Sequence, residues 1–346
     1  MALKSVIFIR RDNIGDLVCT TPAIEAVRLK YPDIKIGVLV NSYNAEAILD
    51  NPDVDDVFIY EKGKHNASKG MIKVALNNFS LIRKVRAARF DAAIGCSYGY
   101  SARLARYTFL TGGKARIGYV HKFLSRSLYN VPVLEPQESI HEVEAMMNLV
   151  KPLGVDMTSI PRMSIIPDKA EQDKALNFLR GAGLKGNDRL VALHISSRKP
   201  QNRWPKERFK ELAEKLQEEL GLKIMLLWSP GSDRNPLHPG DDEKAEWLLS
   251  NMKEKPFAYR TTSLKELISA MSIANIAVCS DGGAMHIAAA LGKPILTIWG
   301  STDKKRWAPW GVPNIILQKD TKLAASVTVE EAFPAFMQLY NQTGAV

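Results

Sequence analysis

Residues 280–303, SDGGAMHIAAALGKPILTIWGSTD, follow an apolar β-branched run, Ile276-Ala277-Val278-Cys279, and interrupt it at Ser-Asp-Gly-Gly. An Ala-rich apolar segment at 286–291 comes next, closed by Gly292 and Pro294, and a second apolar run occupies 295–299. This pattern reads as strand, tight turn, short helix and strand. Gly282 and Gly283 let the backbone approach whatever sits above the strand end, and the free N–H groups of the new helix favour an anion there. The turn then forms a diphosphate seat, with Asp281 and His286 beside it. An ordinary strand-helix turn also carries Gly-Gly, so the seat rests on a second feature. Gly300-Ser301-Thr302-Asp303 directly follows the next strand, and two adjacent strands thereby end in loops of phosphate-binding character on one sheet edge.

Outward from this stretch, short apolar runs alternate with helical patterns along the chain. In the first half, strands are expected at 6–9, 36–40, 57–60 and 92–96. Helices are expected from Thr21-Pro22, at 71–88 and at 101–109, with a shorter one near 45–49 and a further helix at 142–153. The second half restarts after a Pro-bracketed break at 155–167. It brings helices at 169–179, from Pro205 to Gly221, at 243–251 and at 264–271, and strands at 190–193 and 224–228. Such alternation marks parallel sheets covered on both faces, and so an α/β protein. A length of 346 residues fits two domains, taken as 1–160 and 161–346. Two Rossmann-like halves are expected to face a cleft at their strand ends. The last helix, at about 329–340, follows the second sheet, with a return to the first domain as one course for it.

Composition is that of a soluble globular protein, and no run approaches a transmembrane span or a signal peptide, so a cytoplasmic location is expected. Cys19, Cys96 and Cys279 stand singly in or beside apolar runs, without the spacing of zinc or redox sites, and read as core filler. The net charge of +10 is concentrated: residues 62–126 hold fourteen Lys and Arg against one acid, Asp91. Such a block suits nucleic acid, an acidic membrane surface or a phosphorylated substrate, or it is simply a solvated face.

Two loops carry residues suited to chemistry. Arg10-Arg11-Asp12-Asn13-Ile14-Gly15-Asp16 lies just past the first strand, where an α/β sheet presents loops to ligand. A carboxylate at Asp16 is placed to accept a proton from a substrate hydroxyl, or to cap the following helix. In the second half Ser196, Ser197, Arg198, Lys199 and Arg203 lie between a strand and a helix, offering hydroxyls and cations to a diphosphate. No DxD pair stands between these strands and no cluster has metal-ligand spacing, so no metal cofactor is expected.

These residues carry a resemblance. RRDNIGDLVCTTPAIEAVRLKYPDIKI, HISSRKPQNRWPKERF and SDGGAMHIAAALGKPILTIWGSTD are similar, in family order, to motifs of glycosyltransferase family 9, the heptosyltransferases. The resemblance implies a GT-B fold and an inverting, metal-independent transfer from an ADP-heptose donor to the inner core of lipopolysaccharide. It puts Asp16 at the general base. Ser196 and Ser197 fall at the phosphate-binding hydroxyls, Asp281 at the acid that holds the donor sugar, and Gly282, Gly283 and His286 in the phosphate turn. Asp241 or Asp242 falls at the ribose carboxylate by position. Arg10, Arg11, Asn13, Arg103, Arg106, Arg116, Lys122 and Arg126 are then the acceptor-binding candidates for an anionic glycolipid at the inner face of the cytoplasmic membrane. Asn202 departs from the lysine usual two residues before Trp-Pro, leaving the charge to Arg198, Lys199 or Arg203. Gly282 departs from a common threonine. A different nucleotide sugar, or an acceptor other than lipopolysaccharide, stays open.

Two rivals find less support. A nucleic-acid binder would use Tyr98, Tyr100 and Tyr107 for stacking but would leave the phosphate-type turns idle. A nicotinamide-dependent oxidoreductase would need Gly-x-Gly-x-x-Gly after its first strand, and none follows it.

Overall fold

A computed structural model of the chain describes residues 3–61, 71–122, 128–234 and 240–344, without the side chains of residues 71, 72 and 75. The chain divides into two compact units, Met1–Ser164 and Ile165–Val346.

The first unit holds a six-stranded sheet in the order β3-β2-β1-β4-β5-β6. Its strands are β1 (Ser5–Ile9), β2 (Lys35–Asn41), β3 (Asp56–Tyr60), β4 (Ala92–Gly95), β5 (Ala115–Val120) and β6 (Val131–Leu134). Every pairing is parallel. The central strands are buried along most of their length, which is why they read as unbroken apolar runs rather than alternating ones. The connecting helices are α1 (Ile14–Val18), α2 (Thr21–Lys30), α3 (Met71–Ala87), α4 (Ala102–Leu110) and α5 (Glu142–Val150). Pro22 opens α2, where its missing N–H costs nothing. Val85 of α3 and Leu104 of α4 join Ile7, Ile9, Leu39 and Ala93 of the sheet in one core cluster, so both basic helices cover the same face.

The second unit repeats the topology. Its strands are β7 (Leu190–His194), β8 (Lys223–Trp228), β9 (Phe257–Arg260), β10 (Ile276–Ser280), β11 (Ile295–Trp299) and β12 (Asn314–Gln318), in the order β12-β11-β10-β7-β8-β9 and again all parallel. The helices are α6 (Lys169–Gly181), α7 (Lys206–Leu220), α8 (Asp242–Asn251), α9 (Leu264–Ile273), α10 (Gly283–Ala290), α11 (Lys304–Trp307) and α12 (Val329–Thr343). Gly221 ends α7 in the left-handed conformation, at φ 64°. Phe209, Leu212, Ala213 and Leu216 of α7 meet Val329, Ala332, Phe336 and Leu339 of α12 in the core of this unit, so α12 packs its apolar face beside its own sheet. The spacing Gly181-Ala-Gly-Leu-Lys-Gly186 does occur, but it closes α6 and precedes β7, the reverse of a dinucleotide-binding turn.

In each sheet the strand order reverses direction at one place, between β1 and β4 in the first and between β7 and β10 in the second. Loops leaving the C-terminal ends of strands at such a switch point are where open α/β sheets bind ligands. All three cysteines are buried, as core filler should be. Among the described residues, no helix is long and apolar enough to cross a membrane.

Candidate functional site

At the switch point of the first sheet the chain leaves β1 into Arg10-Arg11-Asp12-Asn13. The backbone of this turn is fixed from the neighbouring strands. Asn41 Nδ2 donates to the carbonyls of Arg11 and Asp12 at 3.0 and 2.9 Å, and the Tyr60 hydroxyl donates to the Arg11 carbonyl at 3.2 Å. Asp16 follows on α1, with Oδ2 accepting from the Asn13 backbone N–H at 3.0 Å and from Asn13 Nδ2 at 3.1 Å. Its other oxygen, Oδ1, accepts from Arg10 Nη2 at 2.8 Å. Asp16 therefore serves the helix start and is also held rigidly at the strand ends, with 14% of its side chain exposed.

Arg10 was expected among the acceptor-binding cations, and its burial (1% exposed) removes it from that role. Its guanidinium donates to Asp16, to Glu142 Oε1 at 2.6 Å, and to the Cys96 carbonyl at 2.9 Å. Burial opposes the charge, but the carboxylates of Glu142, Asp16 and Asp12 outweigh it and raise the guanidinium further. Glu142, in the first turn of α5 and fully buried, has no counterpart among the residues singled out in sequence. Arg11 lies over the Tyr107 ring at 3.6 Å and near the Tyr60 ring at 4.8 Å, and so occupies an aromatic face that nucleic-acid stacking would need. Arg116 is also engaged, donating to the carbonyls of Leu128 and Gly113 at 2.8 and 3.2 Å. Arg103 and Arg106 on α4, Lys122 after β5 and Asn13 are exposed; Arg126 lies outside the described residues.

The switch point of the second sheet gathers the other loops. After β7, Ser197 Oγ donates to the Asp281 carbonyl at 3.4 Å, and Arg203 Nε donates to the Ser197 carbonyl at 2.9 Å. Asn202 Nδ2 and Thr302 Oγ1 both donate to Asp281 Oδ2 at 2.5 Å, fixing this buried carboxylate at the end of β10. The turn after β11 thus supports Asp281 with its threonine, while Asp303 caps α11 through the Lys305 N–H at 2.9 Å. Gly300 is required there: an ideal Cβ would lie 2.3 Å from the Gln201 carbonyl oxygen and 2.4 Å from Asn202 Oδ1. Gly282 and Gly283 begin α10, and a Cβ on Gly282 would meet nothing within 4 Å, so the space above this turn is open. His286, expected in the phosphate turn, is buried inside α10 with its ring edge-on to Trp307 at 5.8 Å between centroids. Arg198 and Lys199 are exposed and Arg203 half-buried.

A residue missed in sequence anchors this loop from behind. Lys244 on α8 donates to the carbonyls of Ile195 and Trp204 at 3.0 and 2.9 Å, so both flanks of the loop are tied to one ammonium. Burial lowers that ammonium to about 8 against the opposing pull of Asp241. Its stem reads in sequence as an ordinary surface lysine, and only the fold brings it under the loop. His194, at the end of β7, is pushed down to about 4 by burial and then by Lys244, so it is neutral at pH 7.

The two ribose candidates separate. The Asp242 carboxylate accepts from Trp228 Nε1 at 2.7 Å, from the Gly231 N–H at 2.9 Å and from Arg260 at 3.2 Å. The Arg260 guanidinium first, and then the Trp228 and Gly231 donors, hold it down to about 2. Asp242 is therefore engaged structurally. Asp241 is buried, its carboxyl raised chiefly by that burial, and its Oδ2 has no hydrogen-bond partner. It is the better placed of the two for a ligand hydroxyl. Because the depressed Asp242 carboxylate stabilises above the ordinary carboxylate range and loses that contribution as pH falls toward 2, Asp242→Asn should cost about 1–2 kcal/mol at pH 7, discounted for partial exposure. The difference from wild type should shrink as pH falls toward 2, read by denaturant unfolding at several pH values. Among the described residues, no three His, Cys, Asp or Glu side chains are grouped to hold a metal ion.

Comparison with known proteins places this arrangement. Lipopolysaccharide heptosyltransferase 3 of Escherichia coli K12 is 26% identical over 305 residues, covering 87% of this chain and 84% of that one. The glycosyl transferase family 9 structure from Veillonella parvula superposes with a TM-score of 0.85 at 22% identity, covering 98% and 97% of the two chains. The E. coli heptosyltransferase WaaC, solved with ADP, gives 0.75 at 21% identity over 98% and 99%. The fold is accordingly the GT-B fold that the sequence motifs imply. The model of glycosyltransferase family 9 (heptosyltransferase) matches residues 78–335, three quarters of the chain, and the chain belongs to that family of transferases.

Proposed function

We propose that this enzyme transfers heptose from ADP-heptose to the inner core of lipopolysaccharide, with inversion at the anomeric carbon and without a metal. The observation that carries this reading is that each sheet's switch point holds one carboxylate fixed by side-chain donors, Asp16 in the first unit and Asp281 in the second. Asp16 takes the proton of the acceptor hydroxyl, and the freed oxygen forms a bond to the anomeric carbon. The bond from that carbon to the diphosphate oxygen breaks, and its electron pair leaves with ADP. Direct displacement of this kind inverts the anomeric centre. Asp281 holds the sugar hydroxyls, and the N–H groups opening α10, with Arg203, Lys199 and Arg198, meet the charge on the leaving diphosphate in place of a metal. The E. coli heptosyltransferase WaaC, solved with ADP and with ADP-2-deoxy-2-fluoro heptose, supports the choice of nucleotide.

Asn202 gives Asp281 a hydrogen bond where a lysine would give it an ion pair, so the site carries less positive charge than the family pattern. Calorimetric titration with ADP and UDP, with and without a divalent cation, tests the donor. Micromolar binding of ADP, unaffected by the cation and absent for UDP, is expected; a preference for UDP would replace the donor while leaving the transfer chemistry.

For the acceptor, the exposed cations Arg103, Arg106 and Lys122 present positive charge to an anionic glycolipid at the inner face of the cytoplasmic membrane. Each is worth about 1 kcal/mol near such a surface. Changing all three to Gln should reduce kcat/KM for the acceptor by about 100-fold at low salt and leave ADP binding unaltered. Unchanged acceptor kinetics would remove these residues from the acceptor site.

A further inference from the structure

One nitrogen of Arg10 serves two carboxylates. Nη2 donates to Asp16 Oδ1 at 2.8 Å and to Glu142 Oε1 at 2.6 Å, and Glu142 is the more interior partner, fully buried where Asp16 keeps some exposure. Arg10 cannot turn toward either one, because Nη1 is fixed by the Cys96 carbonyl at 2.9 Å and by Met146 Sδ at 3.4 Å. We infer that Glu142 is a positioning residue for the transfer reaction: by sharing Arg10 it keeps Asp16 basic enough to take the acceptor's proton. This rests on the reading of Asp16 as the base.

The physical reason is a conflict in what Arg10 does. A guanidinium paired with a single carboxylate holds that carboxylate in place but also stabilises its charged form, lowering its proton affinity by one to three pH units. A weaker base assists proton transfer less well. A second carboxylate on the same nitrogen takes part of the attraction and adds like-charge repulsion, so Asp16 is oriented without being made inert. Besides its two partners, Asp12 and Cys96 face Arg10, and Tyr119 faces Glu142. Asp12 Oδ2, in the loop after β1, lies 3.8 Å from Nε. Cys96, at the end of β4, has its thiol pushed up to about 12 by burial and is neutral. Tyr119 on β5 is likewise raised by burial and neutral, its hydroxyl donating to the Ala145 carbonyl at 2.8 Å. Glu142 is thus the fully buried carboxylate set against Asp16, and its place at the start of α5, an element far away in sequence, is what brings it there.

The test is the pH dependence of kcat/KM for transfer from ADP-heptose to an inner-core acceptor, measured between pH 4 and 8. Glu142→Gln keeps the shape and removes the charge. Its acidic limb should move down by about one pH unit and its plateau should fall about tenfold, with KM for the ADP-sugar unchanged. Glu142→Asp should bring the limb back toward wild type. Arg10→Lys, which loosens the hold on both carboxylates, should move it upward. A Glu142→Gln limb that coincides with wild type, even with a lower plateau, would reduce Glu142 to a structural role and overturn the inference. Should Glu142→Gln fail to fold, coincident limbs for Glu142→Asp, Arg10→Lys and wild type overturn it equally. Asp16→Asn separates the two levels: if that variant keeps activity and its acidic limb, the base reading fails, whereas an inactive Asp16→Asn with an unshifted Glu142→Gln limb defeats the sharing of Arg10 alone.

Discussion

Asp16→Asn should lower kcat by about 10²- to 10⁴-fold, the range expected when a positioned general base is removed. The amide oxygen can still accept the Asn13 N–H that caps α1, so the helix start survives the change. Donor binding should also survive, because Ser197, Asn202, Asp281 and Thr302 belong to a different unit of the chain. Steady-state kinetics with a melting curve and ADP titration on the same preparation check all three. A loss of only a few-fold in kcat would leave Asp16 as a helix cap and nothing more, which is the reading its hydrogen bonds to Asn13 also permit.

The largest effect on stability is expected at Arg10. Its guanidinium is 1% exposed and neutralises Asp16 and the fully buried Glu142. Arg10→Met fills much of the same volume but takes the shared guanidinium away from both carboxylates. Removing one partner from a buried ionic cluster costs about 3–5 kcal/mol. The loss should be greatest near neutral pH and shrink in acid, where protonated carboxyls need no cation. Urea unfolding of the variant and the wild type at pH 7 and pH 4 measures it. Restoring part of the stability by adding Glu142→Gln to Arg10→Met would confirm that the cost is an unpaired charge rather than lost packing.

Much of the fold is legible in sequence because its central strands are buried on both faces. Runs such as Val6-Ile7-Phe8-Ile9 and Ile276-Ala277-Val278-Cys279 have no polar interruption, and the glycines and prolines around them mark the turns. Sequence reading leaves out the interior strand β5, whose run is broken by Arg116 and Gly118, and it misses three strands at sheet edges, β6, β9 and β12. Each is mostly half-buried and carries Pro, Arg or Gln within it, so no continuous apolar signal arises. Helix α1 is missed for another reason: it is five residues long, and its Asn13 and Asp16 read equally well as loop chemistry.

The site is legible where a loop follows a strand directly, as at Asp16, Ser197 and Asp281. It is illegible where a side chain arrives from another element. Glu142 and Lys244 sit on α5 and α8, and nothing in their local sequence distinguishes them from other helical charges. The same limit explains why a count of cations misjudges Arg10 and Arg116. Charge is visible in sequence, but burial and the backbone carbonyls that absorb it are not.

Heptosyl transfer with Asp16 as its base is tested most directly by following ADP release from ADP-heptose with and without an inner-core lipopolysaccharide acceptor. The wild type should release ADP only when the acceptor is present, at a rate that falls by two orders of magnitude or more in Asp16→Asn. ADP release that ignores the acceptor, or a wild type inactive with ADP-heptose while a different nucleotide sugar is turned over, would contradict it.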